Sequence, residues 1–106
     1  MRTWNWRMKH RFLNQVEQGL KPLEARQNLG ELAQARVGDR VIWNDRVETR
    51  IKAIRRYRSF EVMLALEKPE DFYPGATREV MLSILRDIYP TDSARGVLCF
   101  ELELIN

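Results

Sequence analysis

The stretch Gly19-Leu20-Lys21-Pro22-Leu23-Glu24-Ala25-Arg26 marks the point at which a helical pattern gives way to a strand. Before it, residues 9–18 place their apolar side chains on one helical face, and Gly19 stands where a left-handed C-terminal cap is expected. Because Pro22 cannot continue the helix, residues 23–26 are predicted to form a short strand. The junction therefore carries an amine, a carboxylate and a guanidinium within six residues.

Strand and helix patterns alternate through the rest of the chain. Alternating side chains predict four further strands, over residues 2–8, 40–44, 47–57 and 96–105. Helical spacing predicts two further helices, one over residues 60–66 and one from the Thr77 cap to Pro90. This order predicts an α+β fold, with a small β-barrel of about five or six strands and two to three flanking helices.

Two of these elements carry specific expectations about burial. On the strand over residues 47–57 we expect four side chains to face inward, namely Val47, Thr49, Ile51 and Ala53. On the last helix we expect one apolar stripe, formed by Val80, Met81, Ile84, Leu85 and Ile88. The closing strand is expected to bury Leu98, Phe100, Leu102 and Leu104.

Length and composition favour a single domain over residues 1–106. The longest apolar run, residues 62–66, is far shorter than the ~20 residues that a membrane-spanning helix needs. Residues 2–7 lack the apolar run of a secretory signal. Cys99 is the one cysteine, which favours a reducing compartment because no internal disulfide can form. We therefore expect a cytoplasmic protein without membrane association.

The charge is unevenly distributed along the chain. Residues 1–58 hold 14 lysines and arginines against 6 acidic residues, whereas residues 59–106 hold 4 against 9. Five cations and an aromatic residue are concentrated in one segment, at Arg50, Lys52, Arg55, Arg56, Tyr57 and Arg58. Such a segment is either a surface that gathers the phosphates of a polyanion or a solvated strand face whose charges pair with the acidic half.

Several short motifs follow one another in a characteristic order. They are G-x-K-x-x-E-x-R over residues 19–26, the Gly38-Asp39 turn with Val41-Ile42-Trp43-Asn44-Asp45, the segment Arg56-Tyr57-Arg58-Ser59-Phe60, Ile88-Tyr89-Pro90, and Gly96-Val97-Leu98. Together they resemble the ASCH domain family, a relative of the PUA-type RNA-binding barrel, over nearly the whole chain. The resemblance implies a PUA-like barrel with a cleft near the first helix that takes RNA, a nucleotide or a modified base.

One bacterial branch of that family resembles an amidohydrolase that removes acyl groups from acetylated cytidine. The catalytic lysine of that branch matches Lys21, its threonine matches Glu24, and its loop glutamate falls at Pro74 in a gapless comparison. Glu70 and Asp71 are near enough in the sequence for a shifted loop to supply the carboxylate. If the protein is an enzyme, the resemblance implies Lys21 and Glu24 as its catalytic residues.

Lys21, Glu24 and Arg26 are the candidate ligand-binding residues at the junction. Burial would favour Lys21 as a nucleophile or base, because desolvation disfavours the ammonium form. The alternative is a solvated lysine at a helix C-terminus, where the helix dipole favours a cation. Glu24 and Arg26 share one face of the strand, either as a surface ion pair or as groups that orient Lys21 and contact a base or phosphate.

No cofactor or metal is expected. His10 is the one histidine and has no Cys or His partner at metal-ligand spacing, and the chain lacks a Gly-rich phosphate loop. The tryptophans are expected to pack in the core or at its rim, with base stacking as the alternative for one that lines the cleft.

The sequence favours a protein that binds RNA, another single-stranded nucleic acid, or a nucleoside or nucleotide. The cations of residues 50–58 would gather phosphates, and Lys21, Glu24 and Arg26 would contact one base or nucleoside in the cleft. The alternative is a small hydrolase acting on RNA, as a ribonuclease, or on a modified nucleoside, in which Lys21 activates the attacking group, Glu24 handles protons and an acidic or tyrosine side chain of residues 70–73 assists. Separately, the position of the loop over residues 68–77 suggests a lid over the cleft. A regulator that recognises a protein partner is a third interpretation, supported by no specific feature.

Overall fold

The computed structural model describes residues 1–105, which form a five-stranded sheet with helices packed against it. The strands are β1 (Thr3–Trp6), β2 (Leu23–Gln27), β3 (Arg40–Trp43), β4 (Val47–Tyr57) and β5 (Val97–Leu104). The helices are α1 (His10–Glu17), α2 (Phe60–Leu66) and α3 (Arg78–Ile88), with 3-10 helices at Gly30–Gln34 and Pro69–Asp71. The predicted α+β class is therefore confirmed, with five strands and three α-helices.

The sheet curls into a half-barrel whose strand order is β1-β3-β4-β5-β2. β1 and β3 are parallel, whereas every other neighbouring pair is antiparallel. β1 and β2 are the edge strands and do not pair with each other. We call the gap where the end of β1 faces β2 the seam. No helix within residues 1–105 has the length and apolar character needed to cross a membrane.

The junction after α1 forms as its sequence predicts. Gly19 has a φ of 77°, and a Schellman motif ends the helix: the amide of Leu20 donates to Gln15 (2.9 Å) and that of Gly19 to Val16 (3.0 Å). The carbonyl of Pro22 then accepts a hydrogen bond from the amide of Leu102, at 2.7 Å. The chain therefore leaves α1 directly into the pairing of β2 with β5.

The long strand β4 departs from the predicted alternation. Val47, Thr49 and Ile51 are buried as expected, but Ala53 is only half-buried. A bulge between Ile51 and Ala53 shifts the register against β5 and turns Ile54 toward the core. The expectation that Ala53 faces inward with the first three residues is therefore wrong.

Two apolar cores lie on opposite faces of β5. One contains Leu98, Phe100 and Leu102 with α1, β1 and β3, and the other contains Val97 and Cys99 with α2 and α3. The predicted core face of β5 is confirmed for the first three of its residues, whereas Leu104 is only half-buried and packs against that core. The second core was not predicted, because alternation marks only one face of a strand as buried.

The apolar stripe predicted for α3 is only partly buried. Met81 and Leu85 lie in the second core, whereas Val80 and Ile88 are exposed and Ile84 is half-buried. The expectation of one buried stripe is therefore wrong at its ends. The reason is geometric, since α2 and β5 cover only one side of α3 and the neighbouring side borders the seam.

Candidate functional site

A cavity of about 190 Å³ opens at the seam, between β2, the β1–α1 connection and α3. Its charged lining contains Lys21, Glu24 and Arg26, the three side chains singled out in the sequence, together with two cations of the β1–α1 connection, Arg7 and Lys9. Its wall is apolar and contains Met8, Phe12, Met81, Ile84, Leu85 and Ile88. The structure therefore brings the predicted triad together beside an apolar surface.

Lys21 and Glu24 form a buried ion pair. Lys21 is 3% exposed and Glu24 is 8% exposed, so neither is a solvated surface residue. Nζ of Lys21 donates to the carbonyl of Leu23 at 2.6 Å and lies 3.0 Å from Oε1 of Glu24. The alternative of a solvated lysine at a helix end is wrong, because the side chain is buried between Phe12 and Phe72 and its ammonium is paired with Glu24.

Arg26 completes the triad and spans the seam. Its Nε donates to Oε2 of Glu24 at 2.7 Å, so each carboxylate oxygen faces one cation. A second guanidinium nitrogen donates to the backbone carbonyl of Arg7 at 2.6 Å, and the guanidinium lies 5.2 Å from the ring centroid of Trp43. Arg26 thereby links β2 to the end of β1. The predicted shared face of Glu24 and Arg26 is confirmed.

The charges of the site determine which groups donate and which accept. Burial alone would raise the pKa of Glu24, but the adjacent Lys21 ammonium and Arg26 guanidinium outweigh burial and lower the pKa. Tyr89, at the mouth of the cavity, has its pKa raised mainly by burial. At neutral pH Glu24 is therefore an ionised acceptor, and the Tyr89 hydroxyl keeps its proton.

The loop over residues 68–77 is anchored beneath the site rather than placed over it. Phe72 is fully buried, and its ring centroid lies 5.9 Å from Nζ of Lys21. Tyr73 packs edge-on against Phe12, with 5.6 Å between ring centroids. Neither Glu70 nor Asp71 lines the cavity. The loop thus supports Lys21 from the core side, which does not fit the predicted lid.

The basic segment of β4 is separate from the cavity, and its charges are largely paired. Nη1 of Arg50 lies 3.8 Å from Oε1 of Glu103, and Nζ of Lys52 lies 3.7 Å from Oε2 of Glu101. These partners follow from the antiparallel register, which sets β4 beside the acidic strand β5.

Arg55 and Tyr57 converge on one carboxylate. Arg55 makes a bidentate ion pair with Glu67, and its Nη1 lies 3.0 Å from Oε1 of Glu101. The Tyr57 hydroxyl donates to Glu67 at 2.6 Å, and burial together with this carboxylate raises the pKa of Tyr57 to about 12. Within residues 1–105, Arg56 and Arg58 lie outside the ion pairs. Three of the five cations therefore have acidic neighbours.

The tryptophans are buried and do not line the cavity. Trp43 is fully buried and donates its indole N–H to Thr49 at 3.0 Å, and the Trp4 indole donates to Asp39 at 3.0 Å. The core-packing interpretation is therefore confirmed for the tryptophans. Among residues 1–105, no cluster of three or more His, Cys, Asp or Glu side chains is arranged to hold a metal ion.

The sequence did not identify the apolar wall of the cavity. Ile84 and Ile88 were assigned to the buried stripe of α3. The sequence carried no signal for this wall, because a stripe at these positions is typical of a helix that packs its whole apolar face on the core.

Comparison with known proteins identifies relatives in fold. No protein-family model and no curated protein matches the chain. The crystal structure of hypothetical protein PH0355 is similar, with a TM-score of 0.91 and 27% identity over 97% of this chain and 99% of that chain. The solution NMR structure of protein PF0455 from Pyrococcus furiosus has a TM-score of 0.82 and 28% identity, over 98% of each chain. The chain therefore shares its fold with these two proteins over nearly their full lengths.

Proposed function

We propose that the protein is an ASCH-type, PUA-like module that binds one base of an RNA, or a nucleoside or nucleotide, in the seam cavity. The main support for this proposal is the buried triad of Lys21, Glu24 and Arg26 beside an apolar wall. Ligand sites typically combine an apolar lining with a few convergent polar groups that fix orientation. The motif resemblance supports the ASCH-type assignment, and the triad supports the binding of a polar ligand group.

The size and shape of the cavity favour a single base. At about 190 Å³ it is smaller than the roughly 300–1,000 Å³ of sites that take drug-sized ligands. An unstacked base has two apolar faces and an edge of donors and acceptors, and proteins commonly read such bases from single strands. The apolar side chains Ile84 and Ile88 suit a face of the ring, whereas the triad suits its edge.

The triad retains hydrogen-bonding capacity for that edge. An ammonium has three donors and a carboxylate has about four acceptor positions. Lys21 uses donors on Leu23 and Glu24, and Glu24 accepts from Lys21 and Arg26. One N–H donor of Lys21 and two acceptor positions of Glu24 therefore remain available to a ligand. This pattern suits a base with an exocyclic amino group beside a carbonyl or ring nitrogen, as in cytosine.

The test is retention of nucleosides and RNA fragments by the purified protein, identified by mass spectrometry after gel filtration. We expect retention by the wild type and at least tenfold weaker binding by Glu24→Gln, because the amide replaces one acceptor oxygen with a donor. Arg78→Ala is the matched control, since Arg78 is exposed on α3 and does not line the cavity. Equal retention by all three proteins would contradict the proposal.

A hydrolase is the second candidate, and the buried Lys21–Glu24 contact is the observation that favours it. An amine held 3.0 Å from a carboxylate at a cavity can exchange a proton with it. In this candidate Lys21 activates the attacking group and Glu24 transfers protons to the leaving group. Incubation with cellular RNA and its modified nucleosides tests it. Product that is lost in Lys21→Met while binding survives supports an enzyme, and absence of product from folded, ligand-binding protein argues against one.

A further inference from the structure

We propose a second binding site, formed by Arg2, Arg36 and Arg56, that takes a phosphate group. The three arginines are exposed and line a concavity of about 530 Å³ together with Gln34 and two alanines. Arg2 precedes β1 and Arg7 follows it, so five residue steps of about 3.3 Å put roughly 16 Å between this site and the seam. The site is therefore distinct from the seam cavity and does not depend on a base bound there.

None of the three guanidinium groups forms an ion pair with a carboxylate within residues 1–105. No acidic residue lines the concavity. Within residues 1–105, none of the three guanidinium groups has a carboxylate oxygen within 4.0 Å. This distinguishes them from Arg50 and Arg55 of the same sheet, which have acidic partners. Adjacent like charges repel, and a bound anion removes that repulsion.

One buried carboxylate holds two of the arginines in place through their backbones. Asp39 is 3% exposed and accepts from the amides of Arg2 and Arg36, both at 2.9 Å, and from the indole of Trp4 at 3.0 Å. The guanidinium of Arg2 lies 4.1 Å from the ring centroid of Trp4, which restricts its side chain. Asp39 belongs to the Gly38-Asp39 turn noted in the sequence. Its hydrogen bonds position an arginine cluster that the sequence did not reveal.

The charge and geometry suit a phosphate group. Three arginines against Asp39 leave an excess of two positive charges, and a phosphate monoester carries about −1.5 to −2 at neutral pH. Guanidinium forks match the oxygens of phosphate in bidentate contacts. The concavity is open enough for the phosphate to be free in solution or part of a polynucleotide backbone. Both sources present the same chemical group, a tetrahedral oxyanion that two or three guanidinium groups can bind.

The experiment is an NMR titration of ¹⁵N-labelled protein with inorganic phosphate and, separately, with a short oligouridylate at constant ionic strength. We expect saturable shifts at the backbone amides and arginine Nε groups of residues 2, 36 and 56. Arg36→Ala and Arg56→Ala should each weaken binding about tenfold, as expected for loss of one charge-assisted contact. Arg36→Lys, which keeps the charge but not the fork, should fall between Arg36→Ala and the wild type. Arg78→Ala is the control for the loss of one positive charge elsewhere and should bind as the wild type does.

The two titrants identify the source of the phosphate. Tighter binding of the oligouridylate, with a steep dependence on salt, assigns the site to a nucleic-acid backbone. If inorganic phosphate binds at least as tightly as the oligouridylate does, the site is assigned to a free or terminal phosphate. Absence of saturable shifts at these residues overturns the proposal. Equal weakening by Arg36→Ala and Arg78→Ala also overturns it, because the effect would then be one of overall charge.

Discussion

Replacing Lys21 by methionine separates the charge of this side chain from its volume. Methionine fills similar space without polar donors. The change removes the 3.0 Å contact with Glu24 and the 2.6 Å hydrogen bond to Leu23, both in a site from which water is largely excluded. Glu24 then stays buried with Arg26 as its one close cation, 2.7 Å away. We expect the protein to fold with a markedly lower free energy of unfolding.

The expected loss follows from the energetics of buried ion pairs. Removing one partner of such a pair costs about 3–5 kcal/mol, chiefly because the other charge is left uncompensated. Since Arg26 still offsets part of the charge on Glu24, we expect about 2–4 kcal/mol. The total stability of a small domain is only about 5–15 kcal/mol. The double variant Lys21→Met/Glu24→Gln should recover at least about 1 kcal/mol relative to additivity, because neither position 21 nor position 24 then holds an unpaired buried charge.

Urea unfolding followed by tryptophan fluorescence measures these differences, since the buried indoles report loss of the core. The pH dependence provides a second check. The folded state lowers the pKa of Glu24 below its unfolded-state value of about 4.5, so its stabilising contribution is complete above that pH. The contribution is lost as the pH falls through the folded-state pKa, and the gap between wild type and Glu24→Gln should narrow in acid. Two results together would refute the reasoning: Lys21→Met lowers the free energy of unfolding by less than about 1 kcal/mol, and the effects of Lys21→Met and Glu24→Gln on that free energy are additive in the double variant.

Three further predictions concern the scaffold. Gly96→Ala should destabilise the protein by at least about 1–3 kcal/mol in urea unfolding, because φ is +80° and the new Cβ would collide with the Tyr57 carbonyl; an unchanged midpoint would contradict this. Thr77→Ala should cost about 1 kcal/mol, seen as a lower Tm, because the hydroxyl caps α3 through the amide of Val80 at 3.2 Å; Ser in its place should restore most of the loss. The Cys99 thiol is fully buried, and burial raises its pKa to about 12, so thiol reagents should modify it only after unfolding; rapid labelling of folded protein would show that the second core opens.

The elements that the sequence predicted well are those whose signals are local. Gly19 and Pro22 define the end of α1 because backbone geometry restricts what each residue tolerates. Asn44 and Asp45 likewise adopt left-handed φ values of 54° and 56° in the three-residue loop between Trp43 and Val47, a conformation that asparagine and aspartate tolerate better than most residues. These features require no knowledge of the rest of the chain.

The elements that were predicted poorly depend on long-range register. The bulge in β4 exists only relative to β5, so the alternation from Val47 onward gives no sign of it. The acidic partners of the basic segment are Glu67, Glu101 and Glu103, which come together with it only once α2 and β5 are placed. The triad at the junction could be named from the sequence. Its burial could not, because burial arises from packing against Phe12 and Phe72.

The site and the specificity of the fold depend on the same side chains. Edge strands expose backbone groups that invite wrong pairing, and proteins commonly cover or blunt them. The Pro22 carbonyl faces β5, so the next carbonyl, that of Leu23, points toward the open edge, where the Lys21 ammonium binds it. Across the seam Arg26 binds the carbonyl of Arg7 in the same way. Substitutions of this lysine and arginine should therefore weaken folding and ligand binding together. Glu24→Gln removes no backbone contact, but it leaves the Lys21 ammonium and the Arg26 guanidinium without their shared carboxylate. Its binding is therefore compared with that of the wild type under conditions in which urea unfolding shows both proteins to be folded.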